Sequence, residues 1–121
     1  MHELIYASLL LEEIEKALAG RPDAMVRRVR VRLGEGTRVT PEALRAAFDW
    51  LKEKTRAASA QLEITPVPLR IRCTLCETVY RSREILGECP RCGALGGEWQ
   101  SGAECDLTDL EIEHAEAFAS P

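Results

Sequence analysis

Cys73-Thr74-Leu75-Cys76 and Cys89-Pro90-Arg91-Cys92-Gly93 are the segments whose reading decides how this chain is organised. The two Cys-x-x-Cys pairs stand twelve residues apart. Each pair sets two sulfurs on one tight turn, and two facing turns can bring four thiolates onto one tetrahedral ion. The intervening segment is long enough for a two-stranded excursion. In the second pair proline presets φ, and Gly93 can take a positive φ just after the last sulfur. Two disulfides or a redox dithiol are the competing readings, although one pair would suffice for redox chemistry. The spacing predicts a structural zinc ribbon with Cys73, Cys76, Cys89 and Cys92 as ligands. Four cysteines leave zinc no open position, which argues against catalysis at that ion.

Around the ribbon, 121 residues allow one modest core plus a small metal-stapled lobe. Composition is that of a folded soluble protein, 45% hydrophobic and 30% charged. Aromatic residues are few, so the core is expected to be aliphatic. No apolar run approaches the roughly 18 residues of a membrane span, and no basic region or small-residue cleavage site marks a signal peptide. Five cysteines with zinc spacing suit a reducing cytoplasm. A net charge of −4 argues against nucleic acid as a partner. That charge is uneven. Seven acids and no Lys or Arg lie between Glu98 and Pro121, while Arg27, Arg28, Arg30 and Arg32 cluster elsewhere. Each cluster reads as a solvated face or as a docking surface.

Leu4, Ala7, Leu11, Ile14 and Leu18 recur at steps of three and four, a helix with one apolar face that Leu9 and Leu10 widen. Gly20 and Pro22 supply its stop. Arg28 to Leu33 alternates strictly, as a half-buried strand does. Thr40-Pro41-Glu42 opens a second helix with an N-cap hydroxyl, proline at the first position and an acid in the first turn. Leu44, Ala47, Phe48 and Leu51 form its buried face, and Trp50, off that stripe, is expected to cover an edge. Leu62 and Ile64 belong to another strand. Its parity changes beyond Pro66, which predicts a bulge or kink on an edge strand. Val79, Tyr80, Ile85 and Leu86 predict a short hairpin between the two cysteine turns. A last strand spans Leu107 to Ile112, and its own parity shift predicts a bulge. The fold expected is α+β: two helices packed on a small, mainly antiparallel sheet, with the four-cysteine zinc ribbon inserted before the last strand. Residues 1–70 and 103–121 form the first unit, and residues 71–102 the second.

Met1-His2-Glu3 opens the chain. A terminal amine, a deprotonated backbone amide and the His2 imidazole can chelate one ion from a single short segment. Such planar nitrogen donation suits Ni²⁺ or Cu²⁺. Alone, His2 also reads as an incidental surface residue. His114 and Cys105 read as a surface histidine and a small, partly buried residue.

The combination of Met1-His2-Glu3-Leu4, Thr40-Pro41-Glu42-Ala43-Leu44, Leu62-x-Ile64-x-x-Val67-Pro68 and the two cysteine pairs resembles the HypA/HybF family nearly end to end. These are the nickel chaperones of [NiFe]-hydrogenase maturation. The resemblance implies a nickel site on Met1, His2 and Glu3 beside a structural zinc site. It implies a HypB-like GTPase and the nickel hydrogenase large-subunit precursor as partners, with urease accessory proteins added for some members. Two histidines supply no Ser-His-Asp set, and no Gly-x-x-x-x-Gly-Lys-Ser/Thr loop is present, so any GTP hydrolysis belongs to a partner and no enzyme activity is expected here. A structural zinc-ribbon adaptor without nickel delivery is the alternative.

Overall fold

The first apolar stripe folds as helix α1 (His2–Ala17), which buries Ala7, Leu10 and Ile14. Leu4 and Leu11 flank this face, whereas Leu9 is exposed. Beyond the helix Gly20 adopts φ 84°, a left-handed residue that turns the chain. Strand β1 (Ala24–Gly34) follows, then a 3-10 turn at Glu35–Thr37. Helix α2 (Pro41–Leu51) starts as its sequence demands: Thr40 is extended and its Oγ1 accepts the Ala43 N–H at 3.1 Å. Leu44, Ala47 and Phe48 are its buried residues. Strand β2 (Gln61–Val67) runs parallel to β1, and β6 (Cys105–His114) lies antiparallel on the other side, giving the order β2-β1-β6. A second sheet, β4-β3-β5, is built antiparallel from Val79–Arg81, Arg70–Arg72 and Glu98–Ser101. This computed structural model describes residues 2–114.

The architecture is the α+β arrangement expected, with a ribbon between β2 and β6. The larger sheet is mixed, because α2 carries the chain from β1 over to a parallel β2. One core forms under the helices from α1, α2 and the inner residues Val26, Val29, Val31 and Leu33 of β1. A separate small cluster holds the ribbon: Leu69, Ile71, Cys73, Tyr80 and Cys89.

Four local expectations meet the structure differently. The β6 bulge is present: Arg30 pairs with Asp109 and Val31 with Leu107, so Thr108 is the extra residue, and its hydroxyl donates to Arg30 O at 3.1 Å. No bulge occurs at Pro66, which pairs in even register with Leu33 on an edge strand, where proline is tolerated. The parity change beyond it marks the passage from one sheet to the other. No hairpin forms between the cysteine turns, since β4 pairs back onto β3 and Ile85 and Leu86 stay exposed. Trp50 is 68% exposed and covers no edge.

The face of β1 turned away from the helices carries an ion-pair ladder. Arg28 and Arg30 reach Glu63 on β2, Arg30 also reaches Asp109, and Arg32 takes both oxygens of Asp106. Arg27 and Arg28 pair with Glu113 and Glu111. The basic and acidic clusters are therefore cross-strand partners. Each such exposed pair contributes about 0–1 kcal/mol, so the ladder mainly sets strand register.

The two lobes meet at close backbone contacts. Gly36 N–H donates to Gly102 O at 2.8 Å across the junction, and Gly34 N–H donates to Glu104 O at 2.6 Å where the β1–β6 pairing ends beside it. A Cβ on Gly34 would overlap Gly102 O, so this crossing requires glycine. Glu35 adds the polar tie: one carboxylate oxygen accepts Leu69 N–H at 3.1 Å and the other accepts Arg81 Nη2 at 2.6 Å.

Candidate metal centres

The two cysteine turns are built alike. In the first, Glu77 N–H donates to Cys73 O and Cys73 N–H to Thr78 O, both at 2.9 Å. In the second, Gly93 N–H donates to Cys89 O at 2.9 Å and Cys89 N–H to Ala94 O at 2.8 Å. The residue after each second cysteine is left-handed, Glu77 at φ 66° and Gly93 at φ 79°. Gly93 was legible as such a position. Glu77 was not, because a charged residue gives no local signal for positive φ; only the symmetry of the two turns reveals it. Arg72 forms an ion pair with the Glu77 carboxylate.

These turns bring all four predicted sulfurs together, each within 4.8 Å of the others. Across the turns, Cys73 and Cys92 are 3.5 Å apart and Cys76 and Cys89 are 3.6 Å apart. Sulfurs about 2.3 Å from a tetrahedral ion stand about 3.8 Å apart, so the set fits an ion such as zinc. All four cysteines are free thiols. Their electrostatics point the same way. The Thr78 hydroxyl, 3.3 Å from Cys76 Sγ, and the Thr78 N–H lower the Cys76 thiol to about 6. The Cys76 and Leu75 N–H groups pull the Cys73 thiol down. At Cys92 the Ala94 N–H acts in the same direction, but the neighbouring sulfurs and burial outweigh it and push the thiol up to about 12. Four thiolates cannot share this space without a cation. Tyr80 packs in one cluster with Cys73 and Cys89, its hydroxyl donating to Gly87 O at 3.0 Å. Burial first, then the sulfurs, raises its pKa.

The other predicted site lies at the start of α1. His2 is exposed and is the first helical residue, with Glu3 half-buried in the same turn. Met1 lies outside the described residues. A hydrogen bond from its own backbone N–H is the first of the influences holding the Glu3 carboxyl below the usual range. Among the described residues, the four cysteines are the only metal-competent cluster of Cys, His, Asp or Glu side chains, so none gathers around His2. Cys105 is half-buried opposite Leu33, and burial raises its thiol to about 11. His114 ends β6 opposite Ala24.

A family model described as "Hydrogenase/urease nickel incorporation, metallochaperone, hypA" matches residues 1–112. The chain belongs to the HypA family. The hydrogenase maturation factor HypA of Roseiflexus sp. (strain RS-1) is 40% identical over 114 residues, covering 93% of both chains. That of Geobacter sulfurreducens is 35% identical over 93% of this chain and the whole of its own. The solution structure of the nickel metallochaperone HypA from Helicobacter pylori superposes with a TM-score of 0.68, covering 93% of this chain and 97% of its own. At 23% identity that likeness shows the fold alone. Family membership places the chain in nickel incorporation for hydrogenase and urease, as a metallochaperone with partners in maturation.

Proposed function

We propose that this chain binds Ni²⁺ at its N-terminus and hands it on during maturation of [NiFe]-hydrogenase, and of urease where that enzyme is present. The observation that carries this reading is the family match, which begins at residue 1 and so includes the Met1-His2-Glu3 segment. The terminal amine, the His2 imidazole and backbone nitrogen would supply the donors, a set that planar Ni²⁺ accepts and that tetrahedral Zn²⁺ does not favour. Glu3 would contribute its backbone nitrogen, while its carboxylate favours the start of α1 through the helix dipole. Binding releases protons from these donors, so nickel affinity falls as the pH falls. A site of few ligands around the exposed His2 can be emptied by ligand exchange, which delivery requires.

In this reading Cys73, Cys76, Cys89 and Cys92 hold a structural zinc in the unit of residues 71–102, and residues 1–70 with 103–121 form the nickel-binding unit. The two separate apolar clusters support two units, and Leu69, which packs with the ribbon cluster, draws the boundary a few residues earlier than 71. Zinc would fix the two turns and take no part in transfer, since four sulfurs fill its coordination. The chain is not an enzyme on this reading, and its free thiols suit the cytoplasm. No helix among the described residues is long and apolar enough to cross a membrane. A HypB-like GTPase would meet α1 beside the nickel terminus, where Glu12 and Glu13 are exposed. Glu15 is already held by Arg56 at 2.9 Å.

The test is direct transfer. Nickel-loaded native chain, mixed with the metal-free hydrogenase large-subunit precursor and the GTPase, should pass nickel to the precursor. His2→Ala should pass none while keeping its zinc. Equal transfer by that variant would remove the N-terminal carrier role.

A further inference from the structure

A groove of about 460 Å³ runs along the junction of the two lobes, away from the cysteines. That volume lies within the range of about 300–1,000 Å³ typical of ligand clefts. Its accessible apolar lining comes from Pro41, Pro66 and Ile85, with the buried Leu33, Val39 and Leu69 forming its floor. Two exposed guanidinium groups line it, Arg38 from the segment before α2 and Arg83 from the ribbon. They come from opposite lobes, and Arg38 Nη1 donates to the Arg83 backbone carbonyl at 3.5 Å across the junction. Arg38 holds φ 66°, a left-handed conformation that a side chain adopts at some cost.

The charges in this groove are unbalanced. The arginines of β1 all have carboxylate partners, as do Arg56, Arg72 and Arg81. Among the described residues, Arg38 and Arg83 form no ion pair, as is also true of Arg21, Arg45, Arg70 and Arg91, but of these six only Arg38 and Arg83 line this groove. The acid lining the groove is Glu35, which feels the Arg83 charge, but its two oxygens are committed to Arg81 and Leu69 N–H. Two cations therefore share an apolar groove in a chain whose net charge is −4. Like charges gathered this way suit an opposite charge supplied from outside.

We propose that this interlobe groove is a docking cleft for an acidic peptide segment of a protein partner. Its carboxylates would pair with Arg38 and Arg83, and an adjacent apolar side chain would lie against the exposed Pro66 and Ile85. Guanidinium forks bind carboxylates in a fixed plane, and the apolar walls select a peptide over a bare anion. The cleft draws residues from both lobes, so it exists only while the ribbon is docked. It requires neither nickel nor His2, and its failure would leave the carrier role untouched.

The test uses ¹⁵N-labelled, zinc-loaded full chain and three probes: an acetylated, amidated pentapeptide AEFDA, its counterpart AKFKA, and inorganic phosphate. AEFDA should shift the backbone amides of Arg38, Leu69 and Arg83 saturably, and less so as salt rises. AKFKA and phosphate should not. The double variant Arg38→Glu, Arg83→Glu should weaken AEFDA binding by about tenfold or more, because charge reversal adds repulsion to the lost pairs. If that variant loses zinc or spectral dispersion, Arg38→Gln with Arg83→Gln replaces it, with a smaller loss expected. No saturable shift at these amides, equal binding of AKFKA, or undiminished binding by the folded variant would overturn the proposal. Phosphate matching the peptide would reduce the groove to an adventitious anion site and overturn it as well.

Discussion

The two lobes solve the same problem by different means. The helical lobe buries an aliphatic interior: Leu10, Ile14 and Leu18 from the first helix and its exit, four inner residues of β1, and Leu44 and Phe48 from α2. Each such side chain is worth roughly 1.5–3 kcal/mol, and together they can order their backbone. The ribbon's buried apolar cluster holds Leu69, Ile71 and Tyr80 besides two of its cysteines. Several of its large apolar residues stay exposed, among them Leu75, Leu86 and Leu95. Burial alone cannot hold such a lobe, and its four converging sulfurs indicate what replaces it. One lobe is stable by its core; on the proposed reading the other is held by a metal.

Removing the metal should break that comparison most completely. Cys76→Ser, or chelation of zinc from the native chain, should unfold the ribbon and leave the helical lobe folded. Amide resonances between residues 71 and 102 should collapse while those of α1 and α2 keep their dispersion. Retention of ribbon structure in zinc-free, reduced protein would refute the division of labour. The converse change is Phe48→Ala. Phe48 is fully buried under the helices, and its truncation should cost about 3–5 kcal/mol. Thermal melts should show the helical signal lost earlier, with zinc still bound one per chain. Zinc loss in step with the helices would mean that the ribbon leans on the larger core.

The smallest effect should come from the tie between them. Hydrogen bonding from Arg81 first, and then from the Leu69 N–H, lowers the Glu35 pKa. A carboxyl depressed on folding contributes stability that is present above its unfolded value of about 4.3 and is lost as pH falls through the lower folded value. Acid titration should therefore loosen the junction below about pH 4, reported by the Leu69 and Arg81 resonances. Glu35→Gln should remove that acid limb. An unchanged acid profile in the variant would assign the titration to another carboxylate.

What the sequence disclosed followed from local chemistry. The cysteine turns, the Thr40 cap, the stripes of both helices and the alternation of β1 are each specified within a few residues. The Thr108 bulge was visible because a buried face makes parity matter. The misread strands share one cause, which is partner choice at long range. The parity change after Pro66 resembles a bulge in one strand, yet it records a chain leaving one sheet for another. Val79 to Leu86 holds enough apolar residues for a hairpin, but β3 was the better partner for β4. The arginines of β1 and the acids of β6 looked like two separate surfaces. Their matched i, i+2 spacing was the available signal that they face each other. The positive φ of Glu77 and the groove at Arg38 and Arg83 depend on tertiary contacts that no local pattern encodes.

The central claim is that the two metals are divided between the two ends of the fold, nickel at the N-terminus and zinc in the ribbon. Calorimetric nickel titration of zinc-loaded protein with an untagged, unextended N-terminus tests it most directly, with metal content measured before and after. Native chain should take one equivalent of Ni²⁺ without losing zinc, and His2→Ala should keep its zinc but show no specific nickel binding. If His2→Ala binds one equivalent with native affinity, or if nickel displaces zinc from the cysteines, the division is wrong.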